Sequence, residues 1–231
     1  MKLTIIIPCY NEKNTINEVL KKLNNINLNK QIILVDDCSK DGTKDIIRRS
    51  KYKIDKIIFH KKNVGKGGAI ISASKYILGD YIVIQDADLE YNPNDLMRMF
   101  NKILKKKYQV LYGSRVLGKK RYLGNKDFTS IYRIFANHIL TLFSNLINNQ
   151  NLTDAHTCYK MFKSDIFKKI KLVEKDFAFC PEITTKISNM NIPISEMTIG
   201  YKGRSYKEGK KISFKDGFKA LFTIIKYSIN K

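Results

Sequence analysis

The chain of 231 residues has no tryptophan, three histidines, four prolines and four cysteines, and it is short of acid: 21 Asp and Glu stand against 43 Lys and Arg, a net charge of +22. Each shortage excludes something. Cys9, Cys38, Cys158 and Cys180 include no CxxC pair, so they make neither a disulfide framework nor a zinc cluster and read as reduced thiols. With little Pro and Gly and 43% hydrophobic residues, the composition is that of a folded core, not of a disordered or fibrous chain. Long apolar runs are missing too. The best windows, Ile131 to Ile147 and Phe218 to Ile229, are broken by Arg133, Asn137, His138, Asn145 and Lys226, whereas a spanning helix needs about 20 apolar residues. The N-terminal run Leu3 to Pro8 is a strand's length, too short for a signal peptide. A cytoplasmic protein without a transmembrane helix is expected.

What is present is alternation. Leu3 to Ile7, Gln31 to Val35, Lys56 to Phe59, Tyr81 to Gln85 and Gln109 to Tyr112 read as strands buried on both faces. Between them Thr15 to Leu23, Lys44 to Arg49, Gly68 to Leu78 and Asp95 to Lys105 carry apolar residues at helical spacing. Strand and helix in alternation predict a mostly parallel α/β sheet, in which ligands bind beyond the carboxyl ends of the strands. After residue 119 the pattern changes. Tyr122 to Asn151 predicts one or two amphipathic helices, Cys158 to Phe162 a strand, Ser164 to Ile170 and Pro181 to Met190 helices, Ile192 to Tyr201 a strand, and Phe214 to Ser228 a last helix. With no linker or repeat, residues 1–231 read as one domain.

The polar segments that follow strands gather the chemistry. Asp86-Ala87-Asp88-Leu89-Glu90 sets three carboxylates at alternate positions; in a partly dry cleft they repel unless a cation holds them, and hard oxygen donors suit Mg²⁺ or Mn²⁺. A solvated acidic turn is the plainer reading. Asp36-Asp37 lies at a second strand end, where a carboxylate can accept from a base or ribose, although the following Asp41-Gly42 is also a turn signal. Asn63-Val64-Gly65-Lys66-Gly67-Gly68 reads equally as a phosphate cradle or as a helix-initiating turn.

Together with Ile7-Pro8-Cys9-Tyr10-Asn11-Glu12, Gly113-Ser114-Arg115, Arg133 with Ala136-Asn137, Thr153-Asp154 through Tyr159-Lys160, and Gly203-Arg204-Ser205-Tyr206 with Glu208 to Ile212, these motifs resemble family 2 glycosyltransferases of the GT-A fold. They resemble in particular the polyprenyl-phosphate branch that includes dolichyl-phosphate mannose synthase. The resemblance implies a nucleotide-sugar-binding half, 1–117, and an acceptor- and membrane-facing half, 118–231. It implies that Pro8, Tyr10, Glu12, Asp37, Lys66 and Asp86 bind the nucleotide-sugar, that Asp88 and Glu90 hold Mg²⁺ or Mn²⁺, and that Ser114, Arg115, Arg133 and Arg204 surround the acceptor phosphate. Asp88 and the three arginines would then be catalytic. Many relatives carry Gln where Glu90 stands, so the added charge should tighten cation binding.

The activity implied is transfer of a hexose, with inversion, from a UDP- or GDP-sugar to a polyprenyl phosphate at the cytoplasmic face of the membrane. An ionised phosphate acceptor needs no base. The alternative is a saccharide hydroxyl acceptor, which does need one, and Glu182 is then the candidate. Processive synthases carry QxxRW and are excluded by the lack of tryptophan. A nucleic-acid-binding reading of the charge meets carboxylates clustered at the strand ends, so no nucleic-acid partner is expected. Ile131, Ile134, Phe135, Ile139, Leu142, Phe143 and Leu146, and Phe214, Phe218, Leu221, Phe222, Ile225 and Ile229 with Lys215, Lys219 and Lys226 interleaved, suit an anionic membrane surface. Ordinary core-facing helices would carry the same pattern. Attachment to the membrane, direct or through a membrane-protein partner, stays open.

Overall fold

A computed structural model describes residues 1–118, 131–204 and 214–229. Seven strands form one sheet: β1 (Leu3–Cys9), β2 (Lys30–Asp36), β3 (Lys56–Phe59), β4 (Tyr81–Ile84), β5 (Val110–Ser114), β6 (Lys160–Lys163) and β7 (Ile194–Thr198), in the order β3-β2-β1-β4-β6-β5-β7. β1 pairs in parallel with β2 and β4, β2 with β3, and β5 with β7. The exception is β6, antiparallel to both β4 and β5. The sheet is therefore mixed and mostly parallel, and strands from both halves of the chain share it.

Alternating side chains feed a core on each face. Ile5 and Ile7 join α1 (Ile16–Asn25), α2 (Thr43–Arg48) and α4 (Asn94–Lys106) through Val19, Leu20, Ile47, Met99 and Phe100. Ile6, Ile33 and Val35 join α3 (Lys66–Ser74), α6 (Ser164–Lys169) and α7 (Phe179–Asn189) through Ala69, Ile70, Phe167 and Ile183. The predicted elements are present with shifted ends. α1 starts one residue after the expected Thr15, whose hydroxyl instead donates to Glu12 Oε2 at 2.9 Å. β6 starts at Lys160, two residues later than expected, because the Tyr159 carbonyl turns to accept from Gly113 N–H at 2.8 Å. Of the segment expected to be helical from Tyr122, residues 122–130 lie outside the described residues.

α5 (Ile131–Asn148) and α8 (Phe214–Ile229) pack together, and α8 also packs on α7. α5 turns small and polar residues inward, with Thr141, Ser144 and Asn148 buried beside Ile134. Its apolar stripe faces out: Tyr132 is 80% exposed, Leu146 79%, and Phe135, Ile139 and Leu142 lie between them. α8 adds Phe218, Phe222, Ile225 and Ile229, all exposed. The core-facing reading thus fails for these residues. Two of the three α8 lysines are not spread for solvent either, since Lys219 pairs with Asp176 and Lys226 with Glu174. Among the described residues no helix is long and apolar enough to cross a membrane.

The glycine-rich turn before α3 is a packing device. Gly65 has φ +95°, and a Cβ there would stand 2.5 Å from the Lys175 carbonyl oxygen; one at Gly67 would stand 2.9 Å from Phe179 Cβ and strike the Glu174 carbonyl. Gly68 N–H donates to the Lys175 carbonyl at 2.8 Å. Of the two readings of this motif, the structure shows the helix-initiating turn, with that amide spent on protein and the glycines pressed against 174–175. Gly67→Ala should cost about 1–3 kcal/mol by overpacking. Gly217→Ala, in α8 with nothing within 4 Å of the new Cβ, should gain up to about 1 kcal/mol from helix propensity. Urea unfolding of the two variants measures both signs.

Candidate active site

Because β1 to β5 all run the same way, the segments after β1, β2, β3, β4 and β5 meet at one edge of the sheet, as expected. Three non-glycine residues in them have positive φ: Asn11 at 52°, Cys38 at 65° and Leu89 at 60°. For Cys38 and Leu89 that conformation costs of order 1–3 kcal/mol, and each lets a neighbouring polar group face the site. The loops are laced together. Asn11 N–H donates to Ser39 Oγ at 2.9 Å, Lys40 N–H to Asn11 Oδ1 at 2.8 Å, and Glu12 N–H to Thr43 Oγ1 at 2.9 Å. Pro8 and Tyr10 lie half-buried on the first of them.

Arg204 draws the carboxylates together. Its NH1 and NH2 donate to the two oxygens of Glu12 at 3.0 and 3.1 Å, and NH2 also reaches Asp88 Oδ2 at 3.1 Å. Its backbone N–H donates to Glu90 Oε1 at 2.8 Å, while Tyr201 Oη–H donates to Glu90 Oε2 at 2.9 Å. Burial opposes the Arg204 charge, but the hydrogen bonds to Glu12 and the charges of Asp88, Glu12 and Glu90 keep its pKa above the ordinary value. Burial pushes the Asp88 carboxyl up, and repulsion from Asp86 and Glu90 adds to it against the pull of Arg204. Arg204, expected beside an acceptor phosphate, here lies among Glu12, Asp88 and Glu90, the carboxylates expected to serve donor and metal.

Two further knots flank this one. Lys66 is ion-paired with Asp86, and its ammonium donates to Cys158 Sγ at 3.1 Å. Burial works against the Lys66 charge but Asp86 and Cys158 raise its pKa; burial and Asp86 push the Cys158 thiol up to about 12, so it stays protonated and inert. Asp37 accepts from Val64 N–H at 2.9 Å and Gly65 N–H at 2.7 Å, and its Oδ1 lies 2.6 Å from His60 Nδ1; His60 Nε2 is 2.9 Å from Ser72 Oγ. Asp37 is thus a clamp on the glycine turn, which sequence reasoning missed along with His60. His60 sits at a strand's carboxyl end and could have been marked on position alone.

The acceptor-side expectations fare unevenly. Arg115 forms a two-pronged pair with Asp154, Nε to Oδ2 at 2.7 Å and NH2 to Oδ1 at 2.8 Å, and its guanidinium carbon lies 5.1 Å from the Tyr201 ring centre. Asn137 supports the same carboxylate at 3.1 Å. Burial opposes ionisation of Asp154, yet the Arg115 charge brings its pKa down to about 2. Ser114 is fully buried, its Oγ 2.6 Å from Thr153 Oγ1 and accepting from Leu117 N–H at 3.0 Å. Its expected contact with acceptor phosphate is corrected: it holds the turn after β5. Glu196, which no motif flagged, accepts from the backbone N–H of Thr153 and Asp154 at 2.8 and 3.0 Å and so positions Asp154. The side chain of Arg133 lies outside the described residues.

Glu182 is no base. It is fully buried, Oε1 accepting from Val173 N–H at 2.8 Å and Lys186 Nζ at 2.6 Å, and Oε2 from Glu174 N–H at 2.9 Å. It caps the 173–174 segment, and the expectation of a general base there is corrected. Among the described residues no set of three or more Asp, Glu, His or Cys converges on a single metal position. The side-chain chemistry still fits a hard divalent ion: Asp88 and Glu90 carry oxygen donors two residues apart, and the positive charge now beside them is the Arg204 guanidinium.

Residues 4–171 match the family described as Glycosyl transferase family 2. The chain belongs to that family. This glycosyltransferase is 27% identical, over 98% of its chain and 96% of the relative, to the UDP-N-acetylglucosamine–dolichyl-phosphate N-acetylglucosaminyltransferase of Methanococcus voltae. Among solved structures, mannosyl-3-phosphoglycerate synthase from Rubrobacter xylanophilus superposes with a TM-score of 0.74 at 15% identity, over 100% of this chain and 73% of that one. Glucosyl-3-phosphoglycerate synthase from Mycobacterium tuberculosis, in complex with Mn²⁺, UDP and phosphoglyceric acid, gives 0.73 at 14%, over 99% and 78%. Those likenesses establish the GT-A fold that the motifs implied.

The buried knots predict a two-step acid loss of stability. His156 Nε2 is enclosed without a partner, and burial, with Lys160 nearby, lowers its pKa from 6.5 to about 4. A base whose folded pKa is lowered takes up protons first in the unfolded chain, so stability should fall from pH 6.5 down to 4, by about 3 kcal/mol. Asp154 then follows: its depressed pKa stabilises the fold above about pH 4, and that contribution, about 2–3 kcal/mol, is lost toward pH 2. Urea unfolding against pH should show both limbs, and His156→Gln should flatten the upper one.

Proposed function

We propose that this glycosyltransferase moves a hexose unit from a nucleotide-sugar to a polyprenyl phosphate at the cytoplasmic face of the membrane, with inversion and with a divalent cation. The observation that carries the reading is the apolar stripe of α5 and α8, turned outward over two neighbouring helices on a chain whose Methanococcus voltae relative is named for a dolichyl-phosphate acceptor. Such a face buries favourably against acyl chains. The net charge of +22 favours an anionic leaflet, and the lysines paired on α8 leave that attraction to the rest of the surface.

Donor binding falls to the carboxyl end of β1 and the segments after β1, β2, β3 and β4, through Pro8, Tyr10, Glu12, Asp37, Lys66 and Asp86. Lys66 brings a positive charge to the diphosphate end, and Asp37 keeps the glycine turn in place beneath it. A Mg²⁺ or Mn²⁺ ion held by Asp88 and Glu90 would neutralise the charge that develops on the leaving nucleoside diphosphate; solved glucosyl-3-phosphoglycerate synthase contains Mn²⁺ with UDP. An oxygen of the acceptor phosphate attacks the anomeric carbon as the bond to the diphosphate breaks, and the electron pair leaves with the nucleoside diphosphate. Because the attacking oxygen is already ionised, no residue has to take a proton. The engagement of Glu182 by the 173–174 backbone supports this reading over a saccharide-hydroxyl acceptor, which needs a base. Arg115, Arg133 and Arg204 would orient the phosphate.

Incubation with Mn²⁺, polyprenyl phosphate in vesicles and a panel of labelled UDP- and GDP-sugars, UDP-N-acetylglucosamine first, should place label in the organic extract for one donor, and Asp88→Ala should lower it by at least about a hundredfold. Label appearing only on soluble saccharides would overturn the lipid acceptor. Phe222→Asp with Leu142→Asp should abolish co-sedimentation with anionic vesicles while leaving the melting temperature within a few degrees, since both side chains are exposed.

A further inference from the structure

Arg204 serves the wrong side of the reaction. In the reading above it belongs to the acceptor phosphate, yet in this structure its guanidinium bridges Glu12 and Asp88, with Nε 3.9 Å from Glu90 Oε1. Asp88 and Glu90 are the residues assigned to the divalent ion. A guanidinium and a divalent ion cannot share those oxygens, because two cations a few ångströms apart repel strongly in a cleft of low dielectric. Equally, the carboxylates do not tolerate standing bare, since three of them this close repel one another. One cation must be exchanged for the other.

We propose, resting on the lipid-phosphate reading, that Arg204 is the counter-ion of the donor-site carboxylates before a donor binds, that a divalent cation displaces its side chain, and that the displaced guanidinium then receives the acceptor phosphate. Donor and cation therefore bind before the acceptor. The geometry supplies a pivot for this exchange. The Arg204 backbone stays fixed by its N–H on Glu90 and by the neighbouring Lys202 N–H, which donates to the Glu90 carbonyl at 2.8 Å. Only the side chain, 17% exposed, has to rotate. Its planar fork matches phosphate as well as it matches the carboxylate of Glu12. Arg115 cannot play the same part, because it is buried in its two-pronged pair with Asp154 beneath Asn137 and over the Tyr201 ring. Lys66 is likewise committed, to Asp86 and Cys158.

The test reads Arg204 itself in the intact wild-type chain. Phenylglyoxal labels accessible guanidinium groups, and peptide mass spectrometry reports each arginine separately. Mn²⁺ alone, without nucleotide or lipid, should speed labelling of Arg204 by about fivefold or more, while exposed Arg48 and buried Arg115 keep their rates. In parallel, electron paramagnetic resonance titration of free Mn²⁺ should show Arg204→Gln binding the ion about tenfold more tightly than wild type, because a competing charge is gone, with Arg204→Lys in between. Mn²⁺ that binds while Arg204 labelling stays constant or slows overturns the exchange and leaves the lipid-phosphate reading standing. Unchanged or weaker Mn²⁺ binding in Arg204→Gln overturns it as well. If neither protein binds Mn²⁺, with or without UDP, the metal reading falls and the exchange falls with it.

Discussion

Every part of this site answers one constraint: acidic groups crowded at the carboxyl ends of parallel strands must be matched by positive charge or separated. Glu12, Asp37, Asp86, Asp88 and Glu90 arrive on three different segments, and every one of them has a partner, Glu90 through the Tyr201 hydroxyl and the Arg204 backbone N–H. Arg204 answers Glu12 and Asp88, Lys66 answers Asp86, and His60 with two backbone amides answers Asp37. Once these partners are assigned, much else follows. The Arg115–Asp154 pair is the same solution nearby, and Glu196 and Asn137 keep it aligned. A site built of neutralised pairs leaves no charge buried alone and still offers a substrate charges that can be traded.

Much of this was legible because the information is local. A run of β-branched residues followed by polar ones marks a strand end, and parallel connection brings successive strand ends to one edge, so the gathering of residues 8–12, 36–43, 63–68 and 86–90 needed no coordinates. Direction and pairing were not local. Nothing in Lys160–Lys163 says that it runs against its neighbours, because an antiparallel insertion depends on how residues 115–159 return to the sheet. The bond from Tyr201 to Glu90 spans 111 positions and left no spacing to read. Ser114 and Glu182 were read as chemical because of residue type; burial turned both into supports for backbone.

Helix α5 shows the limit of periodicity itself. Its apolar residues recur every three or four positions, which fixes that they share a face but not where that face looks. The decision lay with the other side of the helix, where Thr141 Oγ1 accepts from Ala155 N–H at 3.3 Å and Asn145 exchanges two hydrogen bonds with Leu152. Polar partners in the 152–155 loop claim the small side chains, so the large ones have only the outside left.

The glycine turn before α3 is also linked to α8. Gly65 and Gly67 press on the backbone of 174–175 and Gly68 N–H bonds the Lys175 carbonyl; Glu174 binds Lys226 and Tyr227, and Asp176 binds Lys219, all on α8. From Lys66 to α8 the path thus runs through backbone contact and ion pairs. A push on the outward rings of α8 would therefore reach the Lys66 turn through residues 174–176.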